Sequence, residues 1–133
     1  MLKGQVMALL EGAAPVAFIL TADRIRAKPF YAGVLGLRMV AEDDFAVTFD
    51  LGNGAVIRLT DLPGHVAREH TVLGWNVPDI RDSVARLTAS GITFRLFDGS
   101  GQDEDGIWTA PGGAKVAWFT DPDGNVLSLT QFG

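Results

Sequence analysis

The chain has 133 residues, of which 47% are hydrophobic and 20% are charged, a balance typical of one globular domain and unlike that of disordered chains. Its formal net charge is -5 and its 11 Lys and Arg residues are scattered, which argues against nucleic-acid binding and suits a basic or neutral small ligand. The chain has no cysteine, which excludes disulfides, thiol catalysis and thiolate metal sites and favours a cytoplasmic protein.

The N-terminal stretch, residues 1–14, is predicted to form a peripheral arm or a short helix. Leu2, Val6 and Leu9 are spaced to share one face of a helix. The apolar run ends at Glu11 and is too short for a signal peptide or a membrane span. We therefore expect no membrane partner.

The first half of the chain is predicted to contain a strand, a helix and three further strands. Asp23 follows the first strand and is a typical helix N-cap. Because Pro29 would break an interior turn, either the helix kinks there or a regular helix runs from Pro29 to Leu35, with Phe30 and Val34 facing inward. The strands are predicted over residues 15–21, 37–41, 45–51 and 55–60.

The second half starts with the same order after a connection that contains Pro and Gly, and it carries one additional predicted strand. Asp79 is predicted to cap a helix, because apolar residues follow it at helical spacing until Gly91. The strands of this half are predicted over residues 71–77, 92–97, 106–109, 116–120 and 126–131.

The last two strands are predicted to form a β-hairpin around the sequence DPDGN, residues 121–125. Pro122 presets its backbone φ for a turn, and Gly124 accepts the positive φ of a tight reversal. Alternation in the final strand then separates two faces. One face carries Leu127 and Leu129, and the other carries Val126, Ser128 and Thr130.

An internal duplication relates the two halves. Val16 stands seven residues before Asp23, and Val72 stands seven residues before Asp79. Internal symmetry of this kind brings equivalent positions to a shared site. The equivalent pairs are Val16 with Val72 and Arg58 with Ser128.

The duplication predicts one domain over residues 15–133, after the arm of residues 1–14. Module 1 covers about residues 15–61, a linker covers residues 62–69, and module 2 covers about residues 70–133.

Three segments resemble a known family: the strand that ends at Asp23, the Phe30-Tyr31 pair followed by Val34-Leu35-Gly36-Leu37, and DPDGN. They are similar to the vicinal oxygen chelate superfamily, which includes glyoxalase I, extradiol dioxygenases and bleomycin-resistance proteins. The resemblance implies an α+β fold in which two tandem βαβββ modules form a curled mixed sheet around a cavity, with the helices outside. It also implies a homodimer.

In the metal-dependent members of that superfamily, His, Gln and Glu ligands come from four strands. The matching positions in this chain are occupied by Val16, Arg58, Val72 and Ser128. Valine has no donor atom, a protonated guanidinium repels a cation, and one hydroxyl cannot hold a divalent ion. We therefore expect no metal and no other cofactor.

Strand alternation predicts a mostly apolar cavity face with a few polar groups, as in small-molecule pockets. Arg58 on this face would offer a fixed fork to a carboxylate, phosphate or enolate. The alternative is an exposed arginine, or one paired with a neighbouring acid. The candidate ligand-binding residues are Phe18, Arg58, Thr60, Asn76, Trp108, Ser128 and Thr130.

The three tryptophans receive different predictions. Trp75 alternates with Leu73 and Val77 and is assigned to the core. Trp108 is a candidate for a cavity lid or a dimer contact. Trp118 is compatible with either face, and the core is the preferred assignment.

The sequence thus predicts a protein that binds or sequesters a small organic molecule in a metal-free cavity. Metal-dependent glyoxalase or dioxygenase activity is not expected. The alternative is a metal-independent lyase, isomerase or hydrolase in which Arg58 stabilises an anionic intermediate. That alternative lacks a base on the inferred cavity face, and only a partner chain or the loop over residues 98–106 could supply one.

Overall fold

The structure is a computed structural model that describes residues 10–133. Most of the predicted N-terminal arm, with Leu2, Val6 and Leu9, lies outside the described residues. The elements in chain order are β1 (Val16–Thr21), α1 (Arg24–Pro29), a π-helical turn (Phe30–Val34), β2 (Arg38–Glu42), β3 (Ala46–Gly52), β4 (Ala55–Asp61), β5 (Thr71–Asn76), α2 (Ile80–Ala89), β6 (Trp108–Thr109), β7 (Lys115–Thr120) and β8 (Val126–Gln131).

The strands form two separate four-stranded sheets, with the orders β1-β4-β3-β2 and β5-β8-β7-β6. In each sheet the first strand pairs in parallel with the last, and the remaining pairs are antiparallel. The predicted α+β class with two modules is confirmed, and the sheets do not close into a barrel. No helix among residues 10–133 is long and apolar enough to cross a membrane.

Helix α1 begins where its cap predicts and changes its hydrogen bonding after Pro29. The Asp23 carboxylate accepts hydrogen bonds from the amides of Ile25 and Arg26 at 3.1 and 3.4 Å. Beyond Pro29 the chain widens into a π-helical turn, in which the Leu35 amide donates to the Phe30 carbonyl at 2.9 Å. A regular helix that starts at Pro29 is therefore the wrong alternative.

The strand predicted over residues 92–97 is absent from the described structure. One backbone hydrogen bond joins this segment to β7, from the Arg95 amide to the Trp118 carbonyl at 2.8 Å. The Gln102 side chain makes hydrogen bonds that a neighbouring strand would otherwise make. It accepts one from the Phe97 amide at 2.7 Å and donates one to the Arg95 carbonyl at 2.9 Å. A side chain thus satisfies backbone groups that a strand ladder would otherwise pair.

The helices cover one face of each sheet and leave the other face bare. Ile57, Leu59 and Leu127 are buried on the helix side, and the core continues between the modules through Phe30 and Phe119, whose ring centroids lie 6.5 Å apart. We call the two opposite faces the open faces. The first open face carries Val16, Phe18, Val56, Arg58 and Thr48, and the second carries Gly74, Ser128 and Trp118.

The DPDGN turn fastens the second module to the first through a buried carboxylate. Asp121 accepts a 2.6 Å hydrogen bond from the Tyr31 hydroxyl and 2.9 Å bonds from the amides of Asp123 and Asn125. The Asn125 side-chain amide donates at 2.8 Å both to Asp121 and to the Leu20 carbonyl. Both Tyr31 and Asp121 are buried, so these charge-assisted bonds are shielded from water.

Two further contacts extend this attachment. The Asp123 carboxylate accepts from the Ala22 amide at 2.9 Å and from the Arg26 guanidinium at 3.0 Å. A ring nitrogen of His65, Nε2, lies 2.9 Å from Oδ1 of Asn125. The end of β1, helix α1 and the linker therefore all contact the same five-residue turn.

Tyr31 gives this attachment a spectroscopic test, because it is the only tyrosine in the chain. Burial, together with the Asp121 carboxylate, holds the pKa of its phenol well above the usual range. The stabilisation is therefore fully present below the unfolded-state pKa of about 10 and declines as pH rises above it. In an alkaline titration, phenolate absorbance is expected to appear only together with the loss of circular dichroism.

The Tyr31→Phe variant provides the control. Its free energy of unfolding is expected to fall by about 2 kcal/mol, because a hydrogen bond to a buried charge is lost. The loss of stability that Tyr31 causes in wild-type protein above about pH 10 should be absent in this variant. Phenolate formation near pH 10 in folded wild-type protein would contradict this account.

Candidate functional site

Arg58 lies in the middle of the first open face. Phe18 flanks it on β1 and Thr48 flanks it on β3. Its side chain is partly buried, and one guanidinium nitrogen lies 3.5 Å from a carboxylate oxygen of Asp43. Arg58 thus lies on the first open face and also approaches a neighbouring acid.

Asp43 is the acidic group next to Arg58, and its environment favours the charged form. It accepts hydrogen bonds from the backbone amides of Phe45 and Ala46 at 2.8 and 2.9 Å. These bonds first, and then the Arg58 guanidinium, hold the pKa of Asp43 below its usual value. A carboxylate with a lowered pKa is a weak general base near neutral pH.

The residues at the four positions that the family resemblance matches to metal ligands do not fit a metal ion. Val16 and Arg58 share the first open face, Val72 lies at a register shift in β5, and Ser128 is 7% exposed. Among residues 10–133, no three His, Cys, Asp or Glu side chains lie close enough together to hold a metal ion. The donor set at these positions contains one hydroxyl and no carboxylate or imidazole.

Ser128 occupies a slot on the second open face. Gly74 lies beside it on β5 and Trp118 lies beside it on β7. A Cβ atom added to Gly74 would collide with Oγ of Ser128, so the glycine makes room for the serine hydroxyl. This close approach accounts for the low exposure of Ser128.

An aromatic cluster of Trp108, Trp118 and Phe97 covers part of the second open face. The ring centroids of Trp108 and Trp118 lie 6.3 Å apart with an interplanar angle of 37°. Those of Phe97 and Trp118 lie 5.8 Å apart and nearly perpendicular. Such spacings are typical of favourable aromatic pairs. We call these three residues the aromatic cluster.

The preferred core assignment of Trp118 is wrong. Trp118 pairs with Ser128, whereas its buried neighbours Ala117 and Phe119 face the core. The signal was present in the sequence, because alternation back from the DPDGN hairpin places Trp118 opposite Ser128. Trp75 packs against the core, as predicted.

Arg95 joins the aromatic cluster to a polar pocket. Its guanidinium carbon lies 5.2 Å from the ring centroid of Phe97, a cation–π distance. Two of its nitrogens contact the Glu69 carboxylate at 2.8 and 3.3 Å, and this pairing lowers the pKa of Glu69. The pocket has a volume of about 730 Å³ and lies between the linker and the end of the second sheet.

The remaining predicted residues are divided between the two sheets. The hydroxyl of Thr60 donates to the Arg58 carbonyl at 3.1 Å, and Thr130 pairs with Asn76 and Val116. Asn76 also borders a separate cavity of about 340 Å³ beside α2. The seven candidates thus form no single cluster within one chain, and sequence reasoning missed Phe97 and Arg95 because they belong to a segment without regular structure.

A known protein family matches most of the chain. The family model described as Glyoxalase/Bleomycin resistance protein/Dioxygenase superfamily matches residues 14–129. A solved member of that superfamily from Sphaerobacter thermophilus DSM 20745 is 25% identical and covers 89% of this chain and 95% of its own, with a TM-score of 0.71. No curated protein sequence matches the chain.

Two further solved structures share the fold at lower identity. Lactoylglutathione lyase from Agrobacterium tumefaciens is 20% identical and covers 90% of this chain and 92% of its own, with a TM-score of 0.69. TnmS3, an antibiotic binding protein from Streptomyces sp. CB03234, is 24% identical and covers 90% of this chain and 95% of its own, with a TM-score of 0.67. From the match over residues 14–129, we conclude that the chain belongs to the glyoxalase/bleomycin resistance protein/dioxygenase superfamily.

Proposed function

We propose that the protein binds a small planar organic molecule in a metal-free cleft. The aromatic cluster carries this proposal, because Trp108, Trp118 and Phe97 present partly exposed ring surface on the second open face. Aromatic rings supply a large contact area and favour stacked or edge-on partners. A flat ligand would bury these rings without requiring a metal.

The chemistry at the metal positions supports binding without metal catalysis. Val16 and Val72 offer no lone pair, and the Arg58 cation would repel a metal ion. TnmS3 is described as an antibiotic binding protein, so the fold supports antibiotic binding in at least one solved structure. That support is an analogy between folds.

The enzymatic alternative that uses Arg58 receives less support. Proton transfer requires a base near the substrate, and the carboxylate next to Arg58 is Asp43, whose low pKa makes it a weak base. Arg58 is better suited to orient an anionic or polar group of a ligand.

The bare open faces support a homodimer in which each chain covers a face of the other. Phe18 is 63% exposed on the first open face, and Val16, Val72 and Phe97 are also exposed. Exposed apolar patches of this kind mark interaction or ligand sites. In the proposed dimer, the cleft lies between the first open face of one chain and the second open face of its partner.

The aromatic cluster can be tested with phenylnaphthylamine, an uncharged fluorescent probe. Replacement of Trp118 by Leu is expected to raise the dissociation constant of this probe about threefold to tenfold, because an aromatic pairing surface is lost. Probe fluorescence gives the constant, and the melting temperature checks the fold. Phe132→Leu serves as control, since Phe132 is exposed at the C-terminus, and equal affinity in the Trp118 variant would overturn the proposed role.

If the cleft is metal-free, divalent ions should change neither the stability of the protein nor its affinity for the probe. Zinc, nickel and a chelator are each expected to leave the melting temperature and the affinity for phenylnaphthylamine unchanged, because the four positions supply no ligand set. Calorimetry and elemental analysis provide the measurements. Stoichiometric metal in protein purified without added ions would contradict the prediction.

The homodimer is tested by placing a charge on the first open face. Wild-type protein is expected to sediment as a dimer, and Phe18→Asp is expected to shift it to monomer, because a carboxylate, even one beside Arg58, would have to lose its hydration in the interface. Ile25→Asp is the matched control, since Ile25 is exposed on α1, away from the open faces. A monomeric wild type would exclude the shared cleft.

A further inference from the structure

The polar pocket next to Arg95 is lined by both basic and acidic groups. The linker contributes His65, Arg68 and Glu69 to its lining, the loop after α2 contributes Arg95, and the DPDGN turn contributes Asp123. Arg68 forms no ion pair with any residue between 10 and 133. Both carboxylates of the lining are held in ion pairs, so the local charge near Arg68 is not set by the acidic balance of the whole chain.

Arg95 is held in place by an aromatic ring. Its guanidinium lies over the Phe97 ring, and Phe97 in turn contacts Trp118. Stacking on an aromatic ring fixes the plane of the guanidinium and orients its N–H groups toward one side. A ligand that lies against the aromatic cluster can therefore reach these donors without rearrangement of Arg95.

Glu69 accepts hydrogen bonds from the Arg95 guanidinium and is the more exposed partner of this ion pair. Its side chain is 81% exposed, whereas that of Arg95 is 30% exposed. An ion pair with a solvated carboxylate is weak, because water and salt compete for both charges. A ligand anion that is also anchored by stacking can displace such a carboxylate, because its aromatic part contributes additional binding free energy.

We propose that this pocket binds the anionic group of a planar aromatic ligand on Arg95, and that Glu69 acts as an internal competitor for the same guanidinium. The proposal rests on the proposed function, since the aromatic part of the ligand occupies the aromatic cluster. It narrows the ligand class to aromatic carboxylates, sulfonates or phosphates.

The proposal is tested with two probes that share one aromatic skeleton. Anilinonaphthalene sulfonate carries a negative charge, and phenylnaphthylamine lacks it. Arg95→Met keeps an apolar stem over Phe97 and is expected to weaken the sulfonate about tenfold, since one charge-assisted contact is lost. The affinity for phenylnaphthylamine should stay the same, and Arg95→Lys should retain part of the sulfonate affinity.

Glu69→Gln is expected to act in the opposite direction. Removal of the competing carboxylate should tighten binding of the sulfonate about threefold and leave phenylnaphthylamine unchanged. Asp82→Asn is the matched control, because Asp82 pairs with Arg86 in an exposed ion pair at 3.2 Å on α2 and its removal changes the net charge by the same amount. A gain in both variants would reflect net charge alone and would overturn the competitor role of Glu69.

The outcomes separate this proposal from the proposed function. Binding of phenylnaphthylamine that depends on Trp118, combined with sulfonate binding that ignores Arg95, would overturn the anion site and leave the aromatic cleft in place. Equal weakening of both probes by Arg95→Met would assign Arg95 a packing role and would also overturn the anion site. Failure of both probes to bind would overturn both proposals.

Discussion

The buried carboxylate of Asp121 is the contact on which the arrangement of the two modules depends. It binds the amides of its own turn and, through the Tyr31 hydroxyl, the first module. One group therefore fixes both the local reversal of the chain and the attachment of that reversal to a distant helix. Loss of either set of hydrogen bonds would leave the buried carboxylate with unsatisfied hydrogen-bonding capacity, which is costly in a low-dielectric interior.

The same turn determines what the second open face presents. A tight reversal fixes the register of β7 against β8, and this register places Trp118 beside Ser128. A slip of one residue would direct Trp118 into the core and Phe119 outward. The position of the aromatic cluster is thus a consequence of hairpin geometry, and the polar pocket next to it is bounded by the same hairpin and the linker.

Much of the fold could be predicted from local patterns, because caps, turns and alternation act over a few residues. The Asp23 and Asp79 caps and the DPDGN hairpin belong to this category. The segment over residues 92–97 does not, because its backbone is satisfied by the side chain of Gln102. Phe97 and Arg95 lie on that segment, so their place in the site follows from contacts that no periodic pattern encodes.

The central rows of the two open faces show how the duplicated modules have diverged. In the first sheet the row runs Phe18, Arg58, Thr48, and in the second the equivalent row runs Gly74, Ser128, Trp118. The largest apolar side chain of the first row is Phe18 on β1, whereas that of the second row is Trp118 on β7. The middle residue is an arginine in the first row and a serine in the second. In the second row, the glycine is required by the serine beside it. Substitutions at these two positions are therefore coupled, because a larger residue at position 74 would need a smaller one at position 128.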